Sequence, residues 1–381
     1  MKLHHQKFGN NYNKKYYKME IVIDSFYNKF LDYKEKYNPD FTKKILQEFL
    51  DDTETKEKVF KYLEFNRTLD ENLLLSDVFP KEEKEIFLYI QKNFSLEKFK
   101  NFLSKLNISS RVLEKEYFQC YVGFSSMMAK FGILNNIEIA NKIVYFWVLV
   151  DNISDNPELK EKKYLLKNLY SFFQLGIYKD MEKITIFFEE YKKDFLINLL
   201  SSLFYLIEEP KRLAFLKVAK KLFDFSYTKE ALKKEKNASQ KELLKISMVK
   251  TLKSLNIFSF CLKSQEKIFE KEEFFLNSLL LQLADDMVDL SKDLKEGSNT
   301  FVTNCSPRER SILFLVMMNI NLKQKLDRDK YISFLFLSLI ENKSLFEEDF
   351  IDNVEETIGI DLKNGGYRNT DDFFDDLFNK K

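Results

Sequence analysis

The sequence predicts an all-α protein, built as a single large antiparallel helical bundle over residues 1–381. Three features carry this expectation. Gly and Pro together make up 13 of the 381 residues, about 3% against roughly 12% in average proteins. Apolar residues recur at i, i+3, i+4 and i+7 along almost the whole chain, the spacing of an amphipathic helix. No stretch alternates apolar and polar residues convincingly enough to read as a strand. Ten to fourteen helices are expected.

Taken in order, the chain opens with a polar, basic segment over residues 1–20, read as a flexible N-terminus. It lacks the apolar stretch of a secretory leader. Breaks are expected at Asn38-Pro39, Phe79-Pro80, Asn156-Pro157, Glu209-Pro210 and Ser306-Pro307, because the residue before proline tends to leave the helical region. Between the breaks lie strongly apolar helical stretches, among them IANKIVYFWVLV, DFLINLLSSLFYLIEE, LNSLLLQLA and RSILFLVMMNINLKQKL. Residues 227–242 are polar and rich in Lys, and read as an exposed loop or helix end. Residues 100–345 are expected to form the helical core. An acidic, aromatic tail follows over 360–381.

Composition excludes several classes of function. The only histidines are His4 and His5, which removes His-based acid–base catalysis, Ser-His-Asp triads and HExxH zinc sites. No glycines have the spacing of a Rossmann or P-loop motif. Cys120, Cys261 and Cys305 show no metal-knuckle spacing. Lys plus Arg is 61 and Asp plus Glu is 60, so a nucleic-acid partner is not expected. No apolar run reaches the ~18 residues of a membrane span. A cytoplasmic protein is expected. The chemistry left to the chain is that of carboxylates, Lys, Arg, Tyr, Ser and oxygen-bound metal.

Two acidic clusters close apolar helical stretches. In the first, Asp151 and Asp155 are separated by four residues within DNISD. In the second, ADDMVDLSKD, Asp285, Asp289 and Asp293 fall at roughly 0°, 40° and 80° around a helix, with Asp286 at the edge of the stripe. Like charges at this spacing repel, and burying them adds a desolvation cost. A divalent cation would reverse both, and Mg²⁺ suits oxygen ligands shared with phosphate groups. The plainer reading is a solvated acidic helix face, partly neutralised by Lys292 and Lys295. Tyr145, Phe146 and Trp147 read first as a core stripe and otherwise as a lining able to shield a cation. Arg308 and Arg310 read first as part of a surface loop and otherwise as donors to a leaving group.

The pair of clusters resembles the two aspartate motifs of the class I isoprenoid synthases. DNISD resembles the first motif of squalene and phytoene synthases and the DNxxD of the bacterial large-terpene cyclases. DDMVDLSKD resembles the DxxxDxxxD of both. Gln282-Leu283 and Gly297 fall in the same register, and Phe301 takes an aromatic position. Gly123-Phe124-Ser125-Ser126, with Lys130, resembles a Ser-containing, basic diphosphate-binding segment. Met248-Val249-Lys250-Thr251 resembles the Lys-Thr upstream of the second motif in chain-elongating prenyltransferases. The likeness spans Tyr117 to Phe301. Two departures are Val148 and Val288, where phytoene synthases carry Arg. A third is the absence of Arg-Arg after Asp155, which points away from chain elongation.

The resemblance implies a terpenoid-synthase-type bundle and a Mg²⁺-dependent enzyme that ionises a prenyl diphosphate, as a terpene cyclase or a squalene/phytoene-type condensing enzyme. It implies metal ligation by Asp151, Asp155, Asp285, Asp286, Asp289 and Asp293, with Asp151, Asp155, Asp285 and Asp289 central to catalysis. It implies diphosphate contacts from Lys250, Lys130 and Ser126. Peripheral membrane contact goes with such greasy substrates. The alternative is a non-catalytic, all-helical interaction protein, a degenerate member of the same fold.

Overall fold

Helices form where the periodicity predicts them and begin where capping chemistry allows. In the computed structural model, the described residues are 2–68, 81, 84–85, 137–155, 162–178, 181–227, 237–258, 260, 272–323, 328–359 and 362. They are all-helical, with no strand among them. The helices are α1 (Lys2–Lys36), α2 (Pro39–Asp51), α3 (Thr53–Thr68), α4 (Ile137–Asp155), α5 (Lys162–Tyr178), α6 (Met181–Glu190) and α7 (Phe195–Leu206). They continue with α8 (Glu209–Tyr227), α9 (Gln240–Phe258), α10 (Glu272–Val288), α11 (Leu290–Glu296), α12 (Pro307–Lys323), α13 (Arg328–Asn342) and α14 (Glu348–Ile358). A short 3₁₀ turn, Lys343–Leu345, links the last two.

Proline marks helix starts rather than interruptions. Pro39 opens α2, and the Asn38 side chain accepts from the Phe41 amide at 2.9 Å. Proline lacks the amide hydrogen that the first helical turn leaves unpaired anyway, so it costs nothing there. Pro210 lies in the first turn of α8, and Pro307 opens α12. Reciprocal Ser–Glu capping boxes start two helices. The Ser306 amide donates to Glu309 Oε2 at 2.9 Å and the Glu309 amide to Ser306 Oγ at 3.2 Å. Ser239 and Glu242 repeat this at the head of α9. Pro80 and Pro157 lie outside the described residues.

Contacts gather into two compact units. The first comprises Met1–Arg67, Glu235–Thr251 and Phe269–Lys381, and the second Thr68–Lys234 and Leu252–Ile268. The first unit is centred on α12, where twelve consecutive residues, Arg310 to Asn321, are buried. Helices α1, α2 and α13 pack around it, α14 lies on α2, and α10 packs between α1 and α13. Phe336 joins this core by meeting Phe49, Phe60 and Phe314 with ring centroids at 5.4, 5.9 and 5.8 Å. Offset and edge-on ring pairs of this kind contribute about 0.5–1.5 kcal/mol beyond burial.

The second unit packs α4 against α5 and α7, and α5 against α6 and α8. Its core is also aromatic. Phe172 meets Phe188 at 4.8 Å, Phe188 meets Phe204 at 5.5 Å, and Phe173 meets Phe223 at 5.6 Å. The Asp194 carboxylate caps α7 through the amides of Leu196 and Ile197.

Candidate functional site

The second acidic cluster is built on α10, a helix whose Phe275, Leu279, Leu280, Leu283, Ala284 and Met287 are all buried. Burial on more than one face holds α10 between α1 and α13, so its C-terminal end is fixed in place. The helix stops at Val288, and Asp289 takes φ −83°, ψ 5°. This is the sparsely populated bridge region of backbone space. Helical hydrogen bonding still carries across the break: the Asp289 amide donates to the Asp285 carbonyl at 3.0 Å, and the Asp293 amide to the Asp289 carbonyl at 2.9 Å. The four aspartates therefore stay on neighbouring turns. Helix α11 then ends on Gly297, which takes the left-handed conformation (φ 70°) that glycine adopts without steric penalty. The Ser298 amide closes the turn on the Asp293 carbonyl at 2.9 Å.

Burial ranks these aspartates differently from the helical-wheel stripe. Asp285 and Asp289 are exposed and Asp293 is half-buried. Asp286, placed at the stripe's edge by the angular argument, is 7% exposed. Its Oδ1 accepts from Gln282 Nε2 at 2.9 Å, and the same amide reaches Asp285 Oδ2 at 3.3 Å. The other end of Gln282 accepts from the Thr251 hydroxyl at 3.0 Å. Thr251 and Lys250 lie on α9, so the Lys-Thr pair noted in the sequence is brought up to the second cluster. Burial, reinforced by the neighbouring charges of Asp286 and Asp289, pushes the Asp293 carboxyl up to about 7, and Lys250 and Lys292 oppose that rise. Asp286, Asp289, Asp293 and Lys250 thus share one electrostatic neighbourhood. No three His, Cys, Asp or Glu side chains come together in metal-holding geometry among the described residues.

The first cluster belongs to the second unit. Asp151 is exposed, on the last full turn of α4, and Asp155 is the final residue of that helix. No base occupies this last turn, so carboxylates sit where the helix dipole disfavours negative charge. Upstream, Phe146 is buried against Trp147, which stacks on Phe173 at 6.4 Å. The Tyr145 hydroxyl is pushed far above its ordinary range by burial. This stripe is part of the aromatic core. Ser126, Lys130 and the rest of the Gly123–Lys130 segment lie outside the described residues.

Arg310 corrects the reading of a surface loop. It lies in the first turn of α12 and is 6% exposed. Its guanidinium donates to the carbonyls of Val302 at 3.2 Å, Leu345 at 2.9 Å and Thr303 at 3.5 Å. Arg310 therefore ties the loop after α11 to the 3₁₀ turn. Arg308 lies over the Tyr37 ring at 5.3 Å.

Two residues near the second cluster escaped the sequence reading in these roles. Gln282 had a signal, since an amide three and four residues before Asp285 and Asp286 shares their helix face. Asn342 had none. It comes from the end of α13, and its side chain bonds both sides of the break at Asp289. No protein-family model, curated protein or solved structure matches this chain.

Proposed function

We propose that the protein is a Mg²⁺-dependent isoprenoid synthase that ionises a prenyl diphosphate, as a terpene cyclase or a squalene/phytoene-type condensing enzyme. One observation carries the reading. At the end of the apolar helix α10, a buried Asp286 held by Gln282 shares its electrostatic surroundings with Asp289 and Asp293, with Lys250 opposing their charge. So much negative charge around a half-buried carboxyl is costly unless a cation compensates it. The donor set is all carboxylate oxygen, which fits Mg²⁺. This ion holds on to several waters and takes only one or two carboxylates beside the substrate's phosphates. A closed cage of three protein ligands is therefore not required.

Asp285, Asp286, Asp289 and Asp293 would hold metal, and Asp151 and Asp155 are assigned the same task on α4. Bound Mg²⁺ would supply Lewis-acid stabilisation of the departing diphosphate. Lys250 would add a point charge to a diphosphate oxygen. With no histidine beyond position 5, a closing deprotonation falls to pyrophosphate or a Tyr hydroxyl. Among the described residues no helix is long and apolar enough to cross a membrane. A cytoplasmic enzyme touching membranes peripherally goes with this reading. The exposure of Asp285 and Asp289 favours the second reading, a non-catalytic helical protein.

Purified protein is incubated with Mg²⁺ and prenyl diphosphates from short to very long, and pyrophosphate is measured. Mg²⁺-dependent release that falls at least ~100-fold in Asp285→Ala is the expected result. Folded protein that releases none from any substrate selects the non-catalytic reading.

A further inference from the structure

Asp289 stands at the N-cap of α11, yet its side chain makes no capping bond. That is unusual, because an N-cap aspartate normally accepts from the second or third helical amide. The second amide of α11 belongs to Ser291, and it has another acceptor. The Ser291 amide donates to Asn342 Oδ1 at 3.1 Å, and the Ser291 hydroxyl donates to the same oxygen at 2.5 Å. The opposite end of the Asn342 amide donates to the carbonyls of Met287 at 3.1 Å and Val288 at 2.9 Å. These partners determine which way the amide faces. Two carbonyls can only accept and a backbone amide can only donate, so Nδ2 must face α10 and Oδ1 must face α11. Asn342 is 2% exposed, so water does not compete for these bonds.

We infer that Asn342 caps α11 in place of Asp289, and that it is thereby a positioning residue which keeps the Asp289 carboxylate out of the cap and with the acidic cluster. One side chain satisfies the last carbonyls of α10 and the second amide of α11, which Asp289 would otherwise serve. It also sets the angle between the turn carrying Asp285 and Asp286 and the turn carrying Asp293. The anchor is firm at its own end. Asn342 closes α13, and Leu345, three residues on, holds Arg310 Nη1 through its carbonyl at 2.9 Å. If Asn342 is lost, the Ser291 amide needs a new acceptor. The cap residue itself, Asp289, carries an acceptor of the kind that serves the second helical amide. Its carboxylate would then turn inward to cap α11. The consequence for metal rests on the reading of the cluster given above.

The test uses the full-length protein with Mn²⁺ alone as a paramagnetic probe, together with hydrogen exchange at residues 289–293. Asn342→Leu is expected to weaken Mn²⁺ binding at least fivefold and to speed exchange of these amides. Ser291→Ala, which removes only the hydroxyl, is expected to weaken binding by about twofold. It serves as the readout if Asn342→Leu does not fold by circular dichroism. In an Asp289→Ala background, Asn342→Leu is expected to cost no further affinity, since the residue acts through Asp289. An equal loss in that background would show a general structural effect and overturn the inference. So would unchanged affinity and exchange in Asn342→Leu. Wild-type protein that binds no Mn²⁺ would sink the metal reading instead. Exchange at 289–293 would then decide the capping role alone, faster exchange in Asn342→Leu supporting it and unchanged exchange overturning it.

Discussion

The ends of α4 and α10 look alike in sequence, yet they differ in what supports them. Both are apolar helices with aspartates in the last turn, and neither has a base there. On α4 the helix runs unbroken to Asp155, and Asp151 is exposed. On α10 the helix breaks at Asp289, Asp286 is buried, and Gln282, Thr251 and Asn342 hold the surroundings in place. A buried carboxylate needs hydrogen-bond partners. Gln282 supplies one to Asp286, and Asn342 bonds the backbone on both sides of the break. The first cluster keeps its charge at a position the helix dipole disfavours.

Three substitutions sharpen or break this contrast. The largest effect is expected from Gln282→Leu, which removes the buried amide between Thr251 and Asp286. Leaving those groups without their shared partner costs about 2 kcal/mol, read by urea denaturation followed by circular dichroism. A loss under 0.5 kcal/mol would mean the second cluster is no better held than the first.

Asp293→Asn comes next, and its effect depends on pH. The carboxyl is raised from 3.8 to about 7 by burial and by Asp286 and Asp289. Below pH about 4 it is neutral in both the folded and the unfolded chain, so it contributes nothing. Between about 4 and 7 the unfolded chain ionises first, and stability is lost as pH rises. Above 7 that penalty is complete. The substitution should therefore stabilise the protein by on the order of 1 kcal/mol at pH 8, allowing for partial solvent screening, and by almost nothing at pH 4. Equal effects at the two pH values would show that the carboxyl is not raised. If the cluster holds Mg²⁺ as proposed, adding the ion should shrink the difference by compensating the charge.

The smallest effect is expected from Asp151→Asn, which removes one negative charge from the end of α4. Relief of the helix dipole predicts a gain of about 0.5 kcal/mol. Trp147 is the only tryptophan in the chain and lies on the same helix, so its fluorescence reports this unfolding directly. A loss above 1 kcal/mol would show that Asp151 is as firmly built in as Asp286, and the contrast between the two ends would collapse.

The sequence by itself determined the helical class, the helix starts at Pro39, Pro210 and Pro307 and the two acidic ends, because each depends on residues a few positions apart. Apolar spacing sets which face of a helix is greasy. Asn38-Pro39 and Ser306-Pro307 start helices through bonds that span three residues. The α4 and α10 clusters were legible for the same reason, and so was the Lys250-Thr251 pair. Only the tertiary structure decided which aspartate is buried. Angles around α10 favoured Asp285, Asp289 and Asp293, but the packing of α10 between α1 and α13 turned Asp286 inward. The division into two units also escaped, because Glu235–Thr251 joins Met1–Arg67 across a long separation in sequence and composition does not change at the seam. Arg310 looked like a loop residue and became a buried tie between carbonyls. Asn342 reached the break at Asp289 from 51 residues beyond Ser291. Pairings of that kind arise from how helices stack, and helical periodicity, being local, holds no record of them.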